Sequence, residues 1–312
     1  MRYRAPHYGI QHPPVATQTK TSGKYLIICA VISIVIGSLA IVLGIGLGVG
    51  LGLGLKRTDS TSTSSTSTCN ANTATCGCPA IQPTISSRIV NADTAIPNSW
   101  PWMVAIYMTN GRLCGGTLVT YEHVLTAAHC VFDVTSDTIT VYAGIEALSK
   151  KSSGQIRNVS TITIHSNYSN VTKVNDMAIL KLSSPLTAGT KISLCCLSTT
   201  SSIPAISDSP VFIGWGRTTA TSDFSDNLQQ AVTRVVTPSL CNYTSVTDNQ
   251  ICTGNTTSVA CYGDSGSPLM VKINNIWTCV GVVNMGLLTC DSYVVFTRVA
   301  PYISFITNAT SS

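Results

Sequence analysis

Charge is scarce in this chain and unevenly placed. Charged residues make up 10% of the 312 positions and aromatic residues 6%. This composition does not suggest disorder along the whole chain. No Asp or Glu precedes Asp59, whereas six of the eighteen basic residues (Arg2, Arg4, Lys20, Lys24, Lys56, Arg57) lie before Thr58. The formal net charge of +5 is therefore a property of the amino-terminal segment, since the remainder carries twelve basic residues against thirteen acidic ones. A nearly neutral remainder gives no electrostatic reason to expect a nucleic-acid partner. No cluster of metal ligands stands out, and no metal or cofactor is expected.

Charge is missing altogether from Tyr25 to Leu55. An uncharged apolar run of this length reaches across a hydrocarbon core as a helix and is expected to be a single transmembrane span. The competing reading is a cleaved signal peptide. Against it, twenty-four residues precede the run, and the run is about twice the length of a signal core. The basic, acid-free segment 1–24 is expected to stay in the cytoplasm, which places the carboxyl-terminal part outside, at the plasma membrane; Lys56 and Arg57 on the other flank oppose this. The glycine alternation Gly44 to Gly54 reads either as a helix-packing face or as low-complexity drift. Thr58 to Thr68 is almost all Ser and Thr, which suits an O-glycosylated stalk. Sequons begin at Asn158, Asn167, Asn170, Asn242, Asn255 and Asn308, as in a glycoprotein of the secretory pathway.

Gly263-Asp264-Ser265-Gly266-Ser267-Pro268 reads as a nucleophilic serine in a tight, glycine-lined turn. A hydroxyl needs a base, a group that orients the base, and N–H donors aimed at the developing oxyanion. His129 in Leu125-Thr126-Ala127-Ala128-His129-Cys130 offers the base, and Asp176 in Asn175-Asp176-Met177-Ala178 offers the carboxylate. With Ser99-Trp100-Pro101-Trp102, Cys114-Gly115-Gly116 and Gly214-Trp215-Gly216 in the same order, the sequence from about Cys76 to Thr307 resembles the chymotrypsin-like (trypsin family) serine endopeptidases.

Short apolar runs separated by turns, such as Trp102 to Tyr107, Ile139 to Tyr142, Ile179 to Leu182, Val211 to Ile213, Val280 to Val283 and Val294 to Thr297, indicate an all-β domain. The resemblance implies two six-stranded antiparallel β-barrels with the site between them, and a helix near Tyr302 to Asn308 closes the chain. The expected organisation is a cytoplasmic tail (1–24), a transmembrane signal-anchor (25–55), a Ser/Thr-rich stalk (56–75), an activation peptide (76–88) and a protease domain (89–312). By family position Cys76 pairs with Cys196, Cys114 with Cys130, Cys241 with Cys252, and Cys261 with Cys290. Cys69 with Cys78 and Cys195 with Cys279 are the expected remainder. Pro210 and Val271 stand where two further cysteines of the family would be.

The resemblance also implies a catalytic set of His129, Asp176 and Ser265, with an oxyanion hole from the Gly263 and Ser265 N–H groups. It implies a zymogen, cut after Arg88 by a protease that prefers basic residues, so that the freed amine of Ile89 is buried against Asp264. Ala92 replaces a usual glycine, Asn284 a serine that helps to bond the aspartate, and Met285 a tryptophan of the substrate site. The calcium loop of some relatives lacks its carboxylates here, there being no acid between Glu146 and Asp176. Val259, at the base of the specificity pocket, replaces the Asp of trypsin-like members; Gly286 leaves the entrance open, and Val294 is expected to shorten the slot. Cleavage of protein or peptide substrates after small to medium apolar residues is expected. The other reading is a catalytically weak binding or adhesion module on the same scaffold.

Overall fold

The computed structural model describes residues 69–85, 92–241, 246–254, 260–286 and 293–311. The expected span 25–55, the cleavage site Arg88–Ile89, Val259 and Cys290 lie outside these residues. Among the described residues no helix is long and apolar enough to cross a membrane.

Fifteen strands run in chain order: β1 (Asp93–Thr94), β2 (Met103–Met108), β3 (Leu113–Thr120), β4 (His123–Thr126), β5 (Ile139–Ala143), β6 (Gln155–Ile164), β7 (Ala178–Leu182), β8 (Cys196–Leu197), β9 (Val211–Gly214), β10 (Gln229–Val232), β11 (Arg234–Val235), β12 (Gln250–Gly254), β13 (Pro268–Ile273), β14 (Ile276–Gly286) and β15 (Tyr293–Arg298). A short helix, α1 (Ala128–Val131), follows β4, and α2 (Ile303–Thr310) ends the domain. The first half is a closed six-stranded barrel in the order β2-β3-β4-β7-β6-β5. Its strand β4 is buried at all four positions, and β5 buries every second residue.

The second half is not the closed six-stranded barrel expected from the resemblance. It is a nine-stranded sheet in the order β1-β10-β9-β13-β14-β15-β12-β11, with β8 attached to β14. β10, next to the end strand β1, and the opposite end strand β11 are separated in sequence by Thr233 alone, so one interrupted strand links the two sides of the sheet. Proline accounts for the interruption. Thr233 N–H donates to the Pro210 carbonyl at 2.9 Å, but Pro210 has no N–H to return, so the ladder lapses there. Phe212, Leu269, Val280 and Phe296 fill the interior of this half.

Among the described residues, disulfides join Cys69–Cys78, Cys76–Cys196, Cys114–Cys130 and Cys241–Cys252. Cys261 is disulfide-bonded as well. The expected bond between Cys195 and Cys279 is absent: both are buried free thiols. The two touch, but the Cys195 thiol donates to the Cys196 carbonyl and the Cys279 thiol to the Gly281 carbonyl, each at 3.3 Å.

Candidate active site

Asp176 lies at the end of a loop held in an uncommon conformation, with Lys173 and Asn175 at φ of 56° and 55°. Asn175 Nδ2 donates to the Asn167 carbonyl at 2.8 Å, and Tyr302 from the carboxyl-terminal segment donates to Asn175 Oδ1 at 2.9 Å. The loop thereby delivers a fully buried carboxylate. Both its oxygens are taken by one residue: the backbone N–H of His129 donates to Oδ1 at 2.7 Å, and His129 Nδ1 meets Oδ2 at 2.6 Å. His129 sits in α1, where a bond from Cys130 to Cys114 pins it to β3.

The same stretch of β3 reaches across to the second half. Gly115 N–H donates to the Ser265 carbonyl at 2.8 Å. The approach requires two glycines. A Cβ on Gly115 would collide with Ser267 Oγ, and one on Gly266, at φ of 80°, with Thr126 Oγ1 and the Gly115 carbonyl. Base and serine are thus both registered on Cys114-Gly115. Among the described residues, neither the Gly263 nor the Ser265 N–H donates to a backbone carbonyl. Gly263 holds a φ of 93°.

Asp264 lies beneath this turn, 4% exposed. Its oxygens accept the Gly216 N–H at 2.7 Å and the Cys261 N–H at 2.9 Å. Burial raises its pKa to about 6, and these two bonds only partly offset that rise. The Gly-Trp-Gly sequence has its physical reason here, because a Cβ on Gly214 or Gly216 would run into the Asp264 carboxylate.

The comparisons agree with this geometry. Residues 89–306 match the family model described as Trypsin. The chain belongs to the trypsin family. Chymotrypsin-C of Bos taurus is 34% identical over 247 residues, covering 74% of this chain and 92% of that protein. Chymotrypsin-C of Mus musculus is 34% identical over 251 residues, with the same coverage, and that of Rattus norvegicus 32%. This trypsin-family member is a serine endopeptidase.

Beside Ser265 the endopeptidase has a cavity of about 150 Å³ lined by Ala260, Cys261, Tyr262, Ser265, Val283, Met285 and Gly286. Val294 does not line it. Its side chain is 1% exposed and packs in the core with Ala260 and Val283, 3.7 Å from where a Gly286 Cβ would stand. The expected direct narrowing of the slot by Val294 is therefore replaced by support from behind.

Asn284 sits at a register shift between β14 and β15, a bulge that turns its side chain inward. Asn284 does not take over the serine's bond to Asp176. Instead Nδ2 donates to the Lys173 carbonyl at 2.8 Å and to Thr297 Oγ1 at 2.9 Å, while Oδ1 is buried without a partner. The Lys173 carbonyl fixes this orientation, because only the NH₂ arm can meet an acceptor. Sequence reasoning had no signal for Lys173, which becomes a neighbour of the site only through its main chain. It also passed over Tyr262, although that residue adjoins Gly263.

Proposed function

We propose that this protein is a membrane-tethered endopeptidase made as a zymogen and, once cut after Arg88, cleaves after small to medium apolar residues. Ser265 Oγ attacks the scissile carbonyl carbon while His129 Nε2 takes its proton. The oxyanion accepts the Gly263 and Ser265 N–H groups, and collapse expels the amine, which takes the proton from His129. Water then repeats the sequence on the acyl-enzyme. Asp176 holds the imidazole with its proton on Nδ1 and stabilises the imidazolium. The freed Ile89 ammonium would supply Asp264 with the cationic partner it lacks among the described residues. Residues 1–24, 25–55 and 56–75 serve as tail, signal-anchor and stalk, with the catalytic domain outside the cell.

The cavity beside Ser265 is the observation that carries the substrate preference. Among its described lining residues none is charged, and its size suits a short apolar side chain rather than Arg or Lys. The test is turnover of a peptide library by the ectodomain from Thr58, cut at Arg88 with trypsin that is then removed. Cleavage after Ala, Val, Leu or Met, absent in Ser265→Ala, is expected. Turnover confined to Arg or Lys sites would refute the preference.

The orientation of Asn284 favours a slower enzyme than one with a donor on Asp176. Asn284→Ser is expected to raise kcat about threefold, ~0.6 kcal/mol, with KM unchanged on a short peptide. A lower kcat would mean that the Lys173 bond positions the loop more than a donor helps the carboxylate.

A further inference from the structure

We propose that Asn170 carries an N-linked glycan at the rim of the catalytic cleft, where it admits flexible peptide segments and holds back folded protein surfaces. The inference rests on the reading that the catalytic domain lies outside the cell.

Asn170-Val171-Thr172 is a sequon on the loop that leads to Asp176. All three residues are exposed, and Val171 is 92% exposed, an apolar side chain left open to water on a loop tip. The amide of Asn170 is already oriented. Its Oδ1 accepts Lys173 Nζ at 2.6 Å and the Tyr168 hydroxyl at 3.3 Å. An ammonium only donates, so the oxygen must face the loop and Nδ2 occupies the other arm of the amide, away from it. Glycosylation substitutes Nδ2 and leaves Oδ1 free to keep both bonds. A sugar on that arm would also cover Val171.

The adjacent sequon at Asn167 is engaged differently. The Asn167 backbone N–H donates to His165 Nδ1, and its carbonyl accepts Asn175 Nδ2. Its own loop contacts are those that hold Asn175, the residue before Asp176.

Position gives the glycan its effect. Lys173 Nζ lies 5.7 Å from the ring centroid of Phe132, which follows α1 and its His129. The Lys173 carbonyl accepts from Asn284, the chain neighbour of the pocket residue Met285. The loop therefore touches both the segment that follows the base and the strand that lines the substrate cavity. A branched sugar rooted at Asn170 would overhang the path of a bulky substrate, while an extended peptide needs only the cleft itself.

The experiment expresses the full-length chain in a secretory eukaryotic cell and compares wild type, Thr172→Ala and Thr310→Ala. Thr172→Ala removes the acceptor signal but keeps Asn170, its bond to Lys173, and the Thr172 backbone bond to Ser169 Oγ. Thr310→Ala removes the sequon at Asn308 on α2. Occupancy is read by mass spectrometry. Activity is read on a short peptide and on the same peptide sequence displayed in a folded protein, after activation at Arg88. Expected are occupancy at Asn170, less than a twofold change of kcat/KM on the short peptide in Thr172→Ala, and at least a fivefold rise on the folded substrate, with neither change in Thr310→Ala. Asn170 unoccupied while other sequons are occupied, or occupied without the fivefold split, overturns the inference alone. No occupancy at any sequon overturns it together with the extracellular reading.

Discussion

Asp176→Asn is expected to lower kcat about 10⁴-fold at neutral pH, the size this exchange has in the family's triad, with little change in KM. The reason lies in the two bonds that consume the carboxylate. One oxygen accepts the His129 backbone N–H and the other faces His129 Nδ1. An asparagine has one acceptor arm and one donor arm. If its oxygen keeps the backbone N–H, its NH₂ faces Nδ1 and forces that nitrogen to accept. The ring proton then moves to Nε2, and the imidazole has no lone pair with which to take the serine proton. The side chain is fully buried, so water does not substitute for the missing acceptor. Steady-state turnover of a short peptide and the rate of Ser265 labelling by a fluorophosphonate should fall together. A loss of less than tenfold in both would show that Asp176 does not set the tautomer.

The uncleaved ectodomain, held in that form by Arg88→Gln, should lose stability as pH rises from about 4 to about 6. Asp264 has its pKa raised to about 6 by burial, against about 4 in the unfolded chain. Between these values the folded state binds more protons than the unfolded state, so unfolding becomes easier with rising pH. The stability is fully present below the unfolded pKa and its loss is complete above the folded one. Two pKa units correspond to about 3 kcal/mol. Urea unfolding at half-unit pH intervals measures the slope, and Asp264→Asn should remove it. An unchanged slope in that variant would assign the pH dependence to other groups. After cleavage at Arg88 the slope should flatten, because the Ile89 ammonium favours the ionised carboxylate.

Much of this architecture was legible from residues. The apolar runs around Met103, Ile179, Val211 and Val294 became strands with ends shifted by a residue or so, and the closing helix starts at Ile303 instead of Tyr302. What stayed hidden has physical causes. The strand β6 escaped notice because only Val159 is buried in its ten residues, so its sequence carries no apolar run. The lapse at Thr233 depends on the missing N–H of Pro210 across the sheet, a partner no local pattern reveals. Asn284 was seen as a departure, but its direction is set by a carbonyl 111 positions away in sequence. Cys195 and Cys279 were paired by elimination, whereas adjacency alone does not make a bond when each sulfur finds a carbonyl.

The bond between Cys76 and Cys196 bears on where proteolysis happens. Gly77, at φ of 66°, presses so closely on the Trp277 carbonyl that a side chain would not fit, and Trp277 N–H returns a bond to the Gly77 carbonyl at 2.8 Å. A cut at Arg88 severs the peptide chain but leaves this clamp. On the anchored reading, activation changes what the molecule does without changing its address. It then searches in two dimensions and meets mainly neighbours on its own cell surface at high effective concentration. Release into the medium becomes a separate event, one that needs either a reductant or a second cut on the membrane side of Cys69, because the Cys69–Cys78 bond bridges any cut between Cys69 and Cys76.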